Sequence, residues 1–219
     1  MPDTTKPKVP RGPNAERRAA TRAKIMEAAV RCLAEFGYAA TSTPLVAKMA
    51  KVSRGSLLHQ FPTKVDLILA VAEYAARAQG AAILEQLEAK PQGRERFLHG
   101  VDAIWAALRR PTSVALMEVM IAARSDAELA ERYPGFAGEL EKSMHRARSR
   151  IAAGLGAEDR AEEVDVMSHL TLVALRGLAM ETLFVGRSTK DAEKVVELLN
   201  TIRRRLADEL QPPPQGPRG

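Results

Sequence analysis

The stretch that decides the fold runs from Thr43 to Lys64 and reads TPLVAKMAKVSRGSLLHQFPTK. Thr43 is a good N-cap residue, and Pro44 suits the first helical position because its fixed φ is already helical. A short helix is therefore predicted to begin at this point. Its apolar residues recur at helical spacing and should form a buried face, namely Leu45, Val46 and Met49.

A second short helix is predicted directly after the first. Ser53 is its candidate N-cap, Gly55 lies in its first turn, and Pro62 ends it because the residue before a proline is pushed away from helical geometry. Its apolar positions are Leu57, Leu58 and Phe61. Thr63 and Asp66 then have the spacing of a capping box, so a third and longer helix is predicted from residue 64.

Two short helices joined by a tight turn, of which the second presents small and hydrogen-bonding side chains, are typical of a helix-turn-helix. In that motif the second helix enters the major groove of DNA while the first crosses the DNA backbone. An ordinary helical hairpin shows the same local features, and short capped helices are common. The distribution of charge favours the DNA-binding interpretation.

Positive charge is concentrated in the segment that carries the two helices. Residues 1–64 contain 12 Lys or Arg and 4 Asp or Glu, a net charge of +8, whereas the rest of the chain contains 21 and 23, a net charge of −2. A surface that neutralises phosphate groups needs such an excess. A solvated basic face without a partner is the less favoured alternative. Part of the charge is predicted on the first helix, at Arg17, Arg18, Arg22 and Lys24.

Four short motifs carry a family resemblance: AA at 28–29, FGYAATS at 36–42, VAKMAKVSRGSL at 46–57 and FPTK at 61–64. Together they resemble the DNA-binding domain of the TetR family of bacterial regulators. The resemblance implies a homodimeric one-component regulator, usually a repressor, whose C-terminal domain binds a small ligand and dimerises. The family often has a tyrosine that touches phosphate at the position of Leu58, so that contact is absent here and neighbouring residues must anchor the DNA backbone.

The predicted DNA contacts lie on and around the second short helix. Arg54 can pair with guanine O6 and N7, and Gln60 can pair with adenine N6 and N7. The full predicted set is Thr43, Lys48, Ser53, Arg54, Gly55, Ser56, His59, Gln60 and Lys64. Since one head reads only a few base pairs, two are needed, and their symmetry predicts a roughly palindromic operator with half-sites about 34–36 Å apart or more.

Composition favours an all-α fold, because 46% of the 219 residues are hydrophobic, only 4% are aromatic, and no run of alternating β-branched residues occurs. The single cysteine, Cys32, excludes an internal disulfide and fits a reducing cytosol. The N-terminus lacks the apolar core of a signal peptide, and the most apolar segment, residues 169–185, is too short to span a membrane. A cytoplasmic protein without a membrane partner is predicted.

Four regions are predicted along the chain: a flexible basic arm (1–14), the helix-turn-helix DNA-binding domain (15–64), a helical ligand-binding and dimerisation domain (65–210) and a disordered tail (211–219). The predicted long helices cover residues 15–36, 64–89, 97–108, 112–124, 158–185 and 189–210, with a further one capped by Ser125. Gly37 should end the first of them. The predicted buried face of that first helix comprises Ile25, Ala28, Ala29, Cys32, Leu33 and Phe36.

The last two helices carry more apolar residues than one core face needs. The final helix has a seam for helix packing, in which apolar residues alternate at spacings of three and four. The seam consists of Val195, Leu199, Ile202, Leu206 and Leu210. Two such helices and their symmetry mates can form a four-helix dimer interface. A bundle within one chain would show the same pattern, so the predicted homodimer rests mainly on the resemblance.

A cavity for a small-molecule effector is predicted in the C-terminal domain from adaptable and aromatic side chains, although such residues more often form plain core. Its candidate residues are Phe97, Trp105, Met117, Met120, Met144, Arg176 and Phe184, with His145 or Glu181 as further polar anchors. The four histidines lack the spacing of a metal site, and neither a phosphate loop, a dinucleotide fingerprint nor a GxSxG motif occurs. No metal, cofactor or catalytic site is predicted.

The favoured function is a ligand-responsive transcriptional regulator of the repressor type, which binds double-stranded DNA as a homodimer and is released by an apolar small molecule. One alternative is a nonspecific or architectural DNA-binding protein, which predicts equal affinity for random duplexes. The other is an all-helical enzyme or carrier, for which replacing Arg54 and Gln60 by alanine would leave activity unchanged.

Overall fold

The computed structural model describes residues 13–186 and 189–210, except for the side chains of Pro13, Phe184 and Thr189. Within these ranges the protein consists of α-helices and one short 3₁₀ helix, Glu158–Arg160, without a β-strand. The α-helices are α1 (Pro13–Ala40), α2 (Thr43–Ala50), α3 (Arg54–Gln60), α4 (Lys64–Glu88), α5 (Arg94–Leu98), α6 (Gly100–Leu108), α7 (Pro111–Ala122), α8 (Ala127–Leu155), α9 (Ala161–Phe184) and α10 (Thr189–Leu210). The predicted all-α class is confirmed.

The two predicted flexible ends lie largely outside the described residues. These include residues 1–12 of the predicted arm and the whole predicted tail, 211–219. Pro13 and Asn14 already belong to α1, so the prediction that the arm extends to residue 14 is wrong by two residues. A proline is common at the first position of a helix, because its N–H would have no partner there.

α1 changes direction at Gly37, whose φ of 74° and ψ of 176° lie outside helical geometry. Glycine adopts a positive φ without steric cost, so the helix is interrupted where the sequence predicts, and a further turn runs to Ala40. Five of the six residues on the predicted face of α1 are buried, but Phe36 is 50% exposed. Its place on that face is therefore wrong, because periodicity alone does not show where the covering helices end.

The N-cap of α2 is Ser42 and not Thr43, since the Ser42 hydroxyl accepts a hydrogen bond from Leu45 N at 3.4 Å. The prediction is wrong by one residue, because both residues are good caps and proline is tolerated at either of the first two helical positions. Ser53 caps α3 as predicted and accepts a hydrogen bond from Ser56 N at 3.1 Å.

Both halves of the predicted capping box are present at the start of α4. Asp66 N donates to Thr63 Oγ1 at 3.0 Å, and Thr63 N donates to Asp66 Oδ2 at 3.0 Å. By length and composition alone, α4 also passes the test for a membrane-spanning helix, which is a weak indication because core helices of soluble proteins pass it too. Its first turns are buried inside the chain, at Val65, Leu67, Ile68 and Val71.

One apolar core joins α1, α2 and α3 to α4 and α7. α7 packs against α1 and α4 with Ala115, Leu116 and Val119 buried, so it lies at the centre of this core. We refer to residues 13–64 as the head and to residues 65–210 as the body. Because the apolar core continues across this boundary, the head rests directly on the body.

The remaining helices differ from the prediction at several places, and α9 begins at Ala161 because residues 158–160 form the 3₁₀ helix. The helix expected over residues 97–108 is divided at His99 into α5 and α6. The N-cap of α8 is Asp126 rather than Ser125, since the Asp126 carboxylate accepts a hydrogen bond from Leu129 N at 3.0 Å. The bounds of α10 are those predicted.

Candidate nucleic-acid interface

α3 is a helix of seven residues with one side in the core and the other on the surface. Leu57 is fully buried and Leu58 is half-buried, so these side chains hold the helix in place. Arg54, Gly55 and His59 are exposed. This side of α3 presents a guanidinium, a bare backbone and an imidazole to a partner, which suits contacts with base edges.

Three further predicted contacts lie at the edges of this surface. Ser53 is exposed, and although its oxygen accepts from Ser56 N, its hydroxyl hydrogen remains available to a phosphate. Ser56 and Gln60 are half-buried, at the first and last turns of α3. The structure thus brings six of the nine predicted DNA-contacting residues onto one short helix and its cap.

The other three predicted contacts lie on neighbouring helices. Lys48 is exposed in the last turn of α2, and Thr43 is half-buried at the first position of α2. The Lys64 ammonium instead donates to Tyr38 O at 3.0 Å and lies 3.9 Å from the centre of the Tyr38 ring. Burial lowers the pKa of Lys64. A phosphate contact from Lys64 would therefore compete with an internal contact that the sequence does not indicate.

Arg22 of α1 lies beside the end of α3. Its guanidinium carbon is 4.5 Å from the centre of the ring of Phe61, the C-cap residue of α3. Since Arg22 is exposed, this cation–π contact holds a positive charge next to the candidate DNA-reading helix. The sequence places Arg22 on the first helix but does not show that it reaches α3.

Polar contacts tie the head to the body around Tyr38. Tyr38 N donates to Glu118 Oε2 of α7 at 3.1 Å, and Tyr38 Oη donates to Asp126 Oδ2 at 2.6 Å. At the start of the body, Asp66 Oδ1 accepts from Arg132 Nη2 of α8 at 2.8 Å, and Asp66 Oδ2 accepts from Thr63 N of the head at 3.0 Å. We call Tyr38, Glu118, Asp126, Asp66 and Arg132 the hinge network. Sequence reasoning missed it, because the partners of Tyr38 lie 80 and 88 residues away and no local pattern connects them.

The hinge network lowers the pKa of two of its carboxyl groups, those of Asp66 and Asp126. The hydrogen bond from Tyr38 lowers the pKa of Asp126, and the hydrogen bond from Arg132 lowers the pKa of Asp66. Burial, together with the contact to Asp126, raises the pKa of Tyr38, so the phenol stays protonated and donates. Head and body are therefore joined by charge-assisted hydrogen bonds in addition to the apolar core.

The residues predicted to line a ligand cavity do not come together in one place. Phe97 belongs to one apolar cluster of the body, and Trp105 and Met117 belong to another. Met120 packs against the core that the head shares with α7. A surface groove of about 300 Å³ between α6 and α10 contains Trp105 alone of the predicted set.

The remaining predicted cavity residues belong to α8 and α9. Met144 and Arg176 are half-buried, on α8 and α9, and burial lowers the pKa of Arg176. The side chain of Phe184 lies outside the described part of the chain. Among the described residues, no group of three or more His, Cys, Asp or Glu side chains is arranged to hold a metal ion.

The sequence matches the family described as bacterial regulatory proteins, tetR family, over residues 25–71. An uncharacterized HTH-type transcriptional regulator of Mycobacterium tuberculosis is 30% identical over 148 residues, which cover 68% of this chain and 74% of that protein. The HTH-type transcriptional regulator CymR of Pseudomonas putida is 30% identical over 195 residues, covering 85% and 89%. The HTH-type transcriptional repressor AcnR of Corynebacterium efficiens is 27% identical over 190 residues, covering 84% and 93%.

Solved structures share the fold. A transcriptional regulator from Rhodococcus sp. RHA1 superimposes with a TM-score of 0.64 at 19% identity, covering 86% of this chain and 96% of that one. The multidrug binding protein EbrR, in complex with imidazole, superimposes with a TM-score of 0.57 at 20% identity, covering 84% and 93%.

The sequence relatives and the helix-turn-helix in the head define a DNA-binding transcriptional regulator and not an enzyme. The chain belongs to the TetR family of bacterial regulatory proteins, as the motifs between Ala28 and Lys64 predict.

Proposed function

We propose that this protein is a ligand-responsive repressor, which binds a palindromic operator as a homodimer and leaves it when an apolar small molecule binds the body. The observation that carries the proposal is the outward side of α3, where Arg54, Gly55 and His59 are exposed while Leu57 holds the helix in the core. Family membership supports DNA as the partner. A repressor of this kind works in the cytoplasm.

Gly55 supports the assignment of α3 as the helix that reads bases, because nothing in the described part of the chain requires a glycine there. A Cβ atom at this position would have no heavy atom within 4 Å, and Gly55 is not among the glycines with a positive φ. Glycine costs a helix roughly 0.5–1 kcal/mol relative to alanine. The space left by the missing side chain lies on the exposed side, where a base edge or a DNA backbone would approach α3.

The proposed contacts fall into two kinds. Arg54 and Gln60 discriminate bases, each good bidentate contact contributing about 1–3 kcal/mol of discrimination. Thr43, Lys48 and Ser53 contact phosphates, which fix the position of the head without reading sequence. Phosphate contacts release counterions, so operator affinity should fall steeply as the salt concentration rises.

The homodimer is proposed to form through the outer face of α9 and α10. Large apolar side chains are exposed there, and Val166, Val173 and Leu198 are 59%, 49% and 58% exposed. Leu170 and Ile202 line a groove of about 560 Å³ between the two helices. Exposed apolar surface of this kind marks an interaction site, and pairing of two helices from each copy gives a four-helix interface.

The hinge network supports a route by which a ligand in the body releases the head from DNA. Glu118 lies on α7 and Asp126 caps α8, and both hold Tyr38, which directly follows the kink in α1. A ligand that shifts α7 or α8 therefore changes the orientation of the head, provided that two packings have similar energies. The names of similar proteins support the remaining parts, since AcnR is called a repressor and EbrR a multidrug binding protein.

Selection of bound sites from a random pool of DNA duplexes tests the proposal. The full-length protein should enrich a palindromic site at constant salt, and the double variant Arg54→Ala with Gln60→Ala should lose that enrichment. Arg150→Ala removes one charge from the exposed surface of α8, so it serves as the control and should enrich the same site. Equal retention of all sequences would instead indicate a nonspecific DNA-binding protein.

A further inference from the structure

Arg203 of α10 points into the body and is 2% exposed. Its guanidinium carbon lies 4.2 Å from the centre of the Phe97 ring, and its Nη1 lies 3.4 Å from Thr171 Oγ1 of α9. The guanidinium also lies against Gly100, where a Cβ atom would come within 2.9 Å of Nη2. Helices α5, α6, α9 and α10 thus form a slot for the guanidinium, and glycine at position 100 leaves the room for it.

The charge in this slot has no acidic partner among the residues that the structure describes. No carboxylate among the described residues forms an ion pair with Arg203, and its Nε lacks a hydrogen-bond acceptor. Burial lowers the pKa of Arg203 to about 10, so the guanidinium remains charged at neutral pH. Arg148, also buried, pairs with both Glu141 and Asp165. A buried charge is strongly disfavoured without such partners, so the two arginines call for different explanations.

A second buried group without a partner lies on the same side of α9. Ser168 is one helical turn before Thr171 and is 7% exposed, and its hydroxyl makes no hydrogen bond within the described part of the chain. The Thr171 hydroxyl already donates to Met167 O at 2.8 Å, so it can accept from Arg203 but cannot donate elsewhere. Arg203 Nε and Ser168 Oγ are therefore two buried donors in need of an acceptor.

We propose that Arg203 and Ser168 bind the carboxylate of an apolar organic acid, which is the effector of this regulator. The proposal rests on the ligand-responsive function proposed above and specifies the chemistry of the ligand. A carboxylate accepts two parallel hydrogen bonds from a guanidinium and a further one from a serine hydroxyl. Thr171 orients the guanidinium, and the Phe97 ring beside the guanidinium belongs to an apolar cluster, so the remainder of the ligand should be apolar.

In this proposal the ligand enters through the groove between α6 and α10, which lies beside the helical turn that precedes Arg203. Trp105 and Asn200 line this groove, and Asn200 precedes Arg203 by one helical turn. A ligand that parts α6 from α10 here reaches the guanidinium. Glu193 and Glu197 line the same groove farther along α10 from Arg203, and Arg204 lines it beside Arg203, whereas the carboxylate of Asp102 is held by Asn200. The positive charge of the groove therefore lies at the end nearest Arg203.

Thermal unfolding of the full-length protein with matched acids and amides tests the site. The probes are acetate, benzoate and octanoate, each paired with acetamide, benzamide or octanamide. At least one acid should raise the Tm by several degrees, whereas its uncharged amide should not, because only the acid supplies a charged acceptor for Arg203. The absence of a shift with all three acids, or an equal shift with an acid and its amide, would overturn the proposal.

Variants show whether the shift depends on the slot. Arg203→Met should abolish it and leave the ligand-free protein at least as stable, because methionine fills the slot without a buried charge. Arg203→Lys keeps the charge but loses the forked geometry, so it should weaken binding of the acid on the order of tenfold even if the methionine variant fails to fold. Arg150→Met, on the exposed surface of α8, is the matched control and should keep the full shift. A shift that survives in both Arg203 variants would show that Arg203 does not hold the acid.

Operator binding, measured in parallel, separates this proposal from the proposed function. Sequence-specific DNA binding without any stabilisation by the acids would support the proposed repressor function and overturn the proposed carboxylate site. Stabilisation that depends on Arg203, in a protein that shows no operator preference, would support the carboxylate site and overturn the proposed repressor function. Release of the selected operator by the stabilising acid, but not by its amide, would support both.

Discussion

The head and the body of this regulator distribute charge in opposite ways. In the head the buried side chains are apolar apart from Thr41, and the positive groups other than the half-buried Lys64 lie on the surface. In the body Arg148 and Arg203 are buried, while large apolar side chains of α9 and α10 are exposed. The head therefore has the usual arrangement of a small soluble domain, with apolar residues inside and charges outside. The body departs from this arrangement in two ways, because it has both buried charges and exposed apolar side chains.

The difference agrees with the partners proposed for each region. A positive surface on an apolar core suits a polyanion, which fits the DNA-binding role of the family. An exposed apolar face suits a second copy of the chain, and a buried arginine without a carboxylate suits an acidic ligand. On this interpretation the unusual features of the body are the parts that its partners cover.

The largest effect is expected from making the apolar face of the body polar. Leu170→Glu with Ile202→Glu places two carboxylates in the proposed dimer interface, where they would lose their hydration, so the dimer should dissociate. Both side chains are partly exposed in the single chain, at 47% and 38%, so the monomer should stay folded. Sedimentation velocity should report a monomer, and operator binding should be lost at concentrations that saturate the unmodified protein.

Leu84→Glu is the matched control for the interface variant. Leu84 lies on α4 and is 58% exposed, so the substitution adds a charge at an exposed leucine outside α9 and α10. This variant should remain dimeric. A dimer that persists in the Leu170 and Ile202 double variant would place the interface elsewhere on the body.

The next largest effect is expected in the head, from removing the two proposed base contacts. Arg54→Ala with Gln60→Ala should weaken operator binding on the order of 100-fold or more, since each bidentate contact is worth about 1–3 kcal/mol. The Tm should change little, because Arg54 is exposed and Gln60 is half-buried at the end of a short helix. Fluorescence anisotropy with the selected operator and with a scrambled duplex measures both affinities. An equal loss for the two duplexes would show that these side chains contact only the DNA backbone.

Local chemistry explains why the head could be predicted from sequence. Ser53 caps α3, and Thr63 and Asp66 form the capping box of α4. Both features could be predicted because each involves residues no more than three positions apart. The error at Thr43 is also local, since its neighbour Ser42 is an equally good cap. The outward side of α3 follows from the same short spacing.

Long-range contacts explain why the body could not be predicted in the same detail. The approach of Thr171 to Arg203 joins residues 32 positions apart, and nothing in the local sequence of α10 shows that this arginine alone turns inward. Trp105 and Phe97 share an apolar stripe in the sequence. In the structure the helix breaks at His99, between these two residues, and their side chains belong to different apolar clusters. Apolar periodicity predicts that a residue packs against another helix, but it does not show which helix that is.

A smaller effect is expected at the contact between the two regions. Tyr38→Phe removes the hydrogen bond to Asp126 and should lower the free energy of unfolding by about 1–2 kcal/mol at pH 7. This bond is the main cause that lowers the pKa of Asp126 from 3.8 in the folded protein. A carboxyl group with a lowered pKa stabilises the fold at pH values above its pKa in the unfolded chain. This stabilisation is lost as the pH falls through the pKa of the group in the folded protein. The difference between the two proteins should therefore narrow as the pH falls below 3.8.

Urea unfolding at several pH values measures the hinge contribution. Tyr74→Phe removes the same hydroxyl group from the middle of α4 and serves as the control, and its effect should not vary over this pH range. A Tyr38→Phe deficit that stays constant from pH 7 to about pH 3 would show that Asp126 does not supply the stabilisation.

The smallest effect is expected from adding one methyl group at Gly55, which should weaken DNA binding without destabilising the fold. Gly55→Ala adds a methyl group to the exposed side of α3, where no protein atom would meet it. Because alanine favours a helix by roughly 0.5–1 kcal/mol over glycine, the Tm should stay the same or rise slightly. Operator affinity should nevertheless fall about tenfold, since the methyl group occupies the space that the DNA needs. Gly138→Ala on α8 has equally open surroundings and should give a similar Tm with unchanged affinity. If Gly55→Ala bound the operator as well as the unmodified protein, the close approach of DNA to α3 would be wrong, and the positive surface of the head would have to act through Lys48 and its neighbours alone.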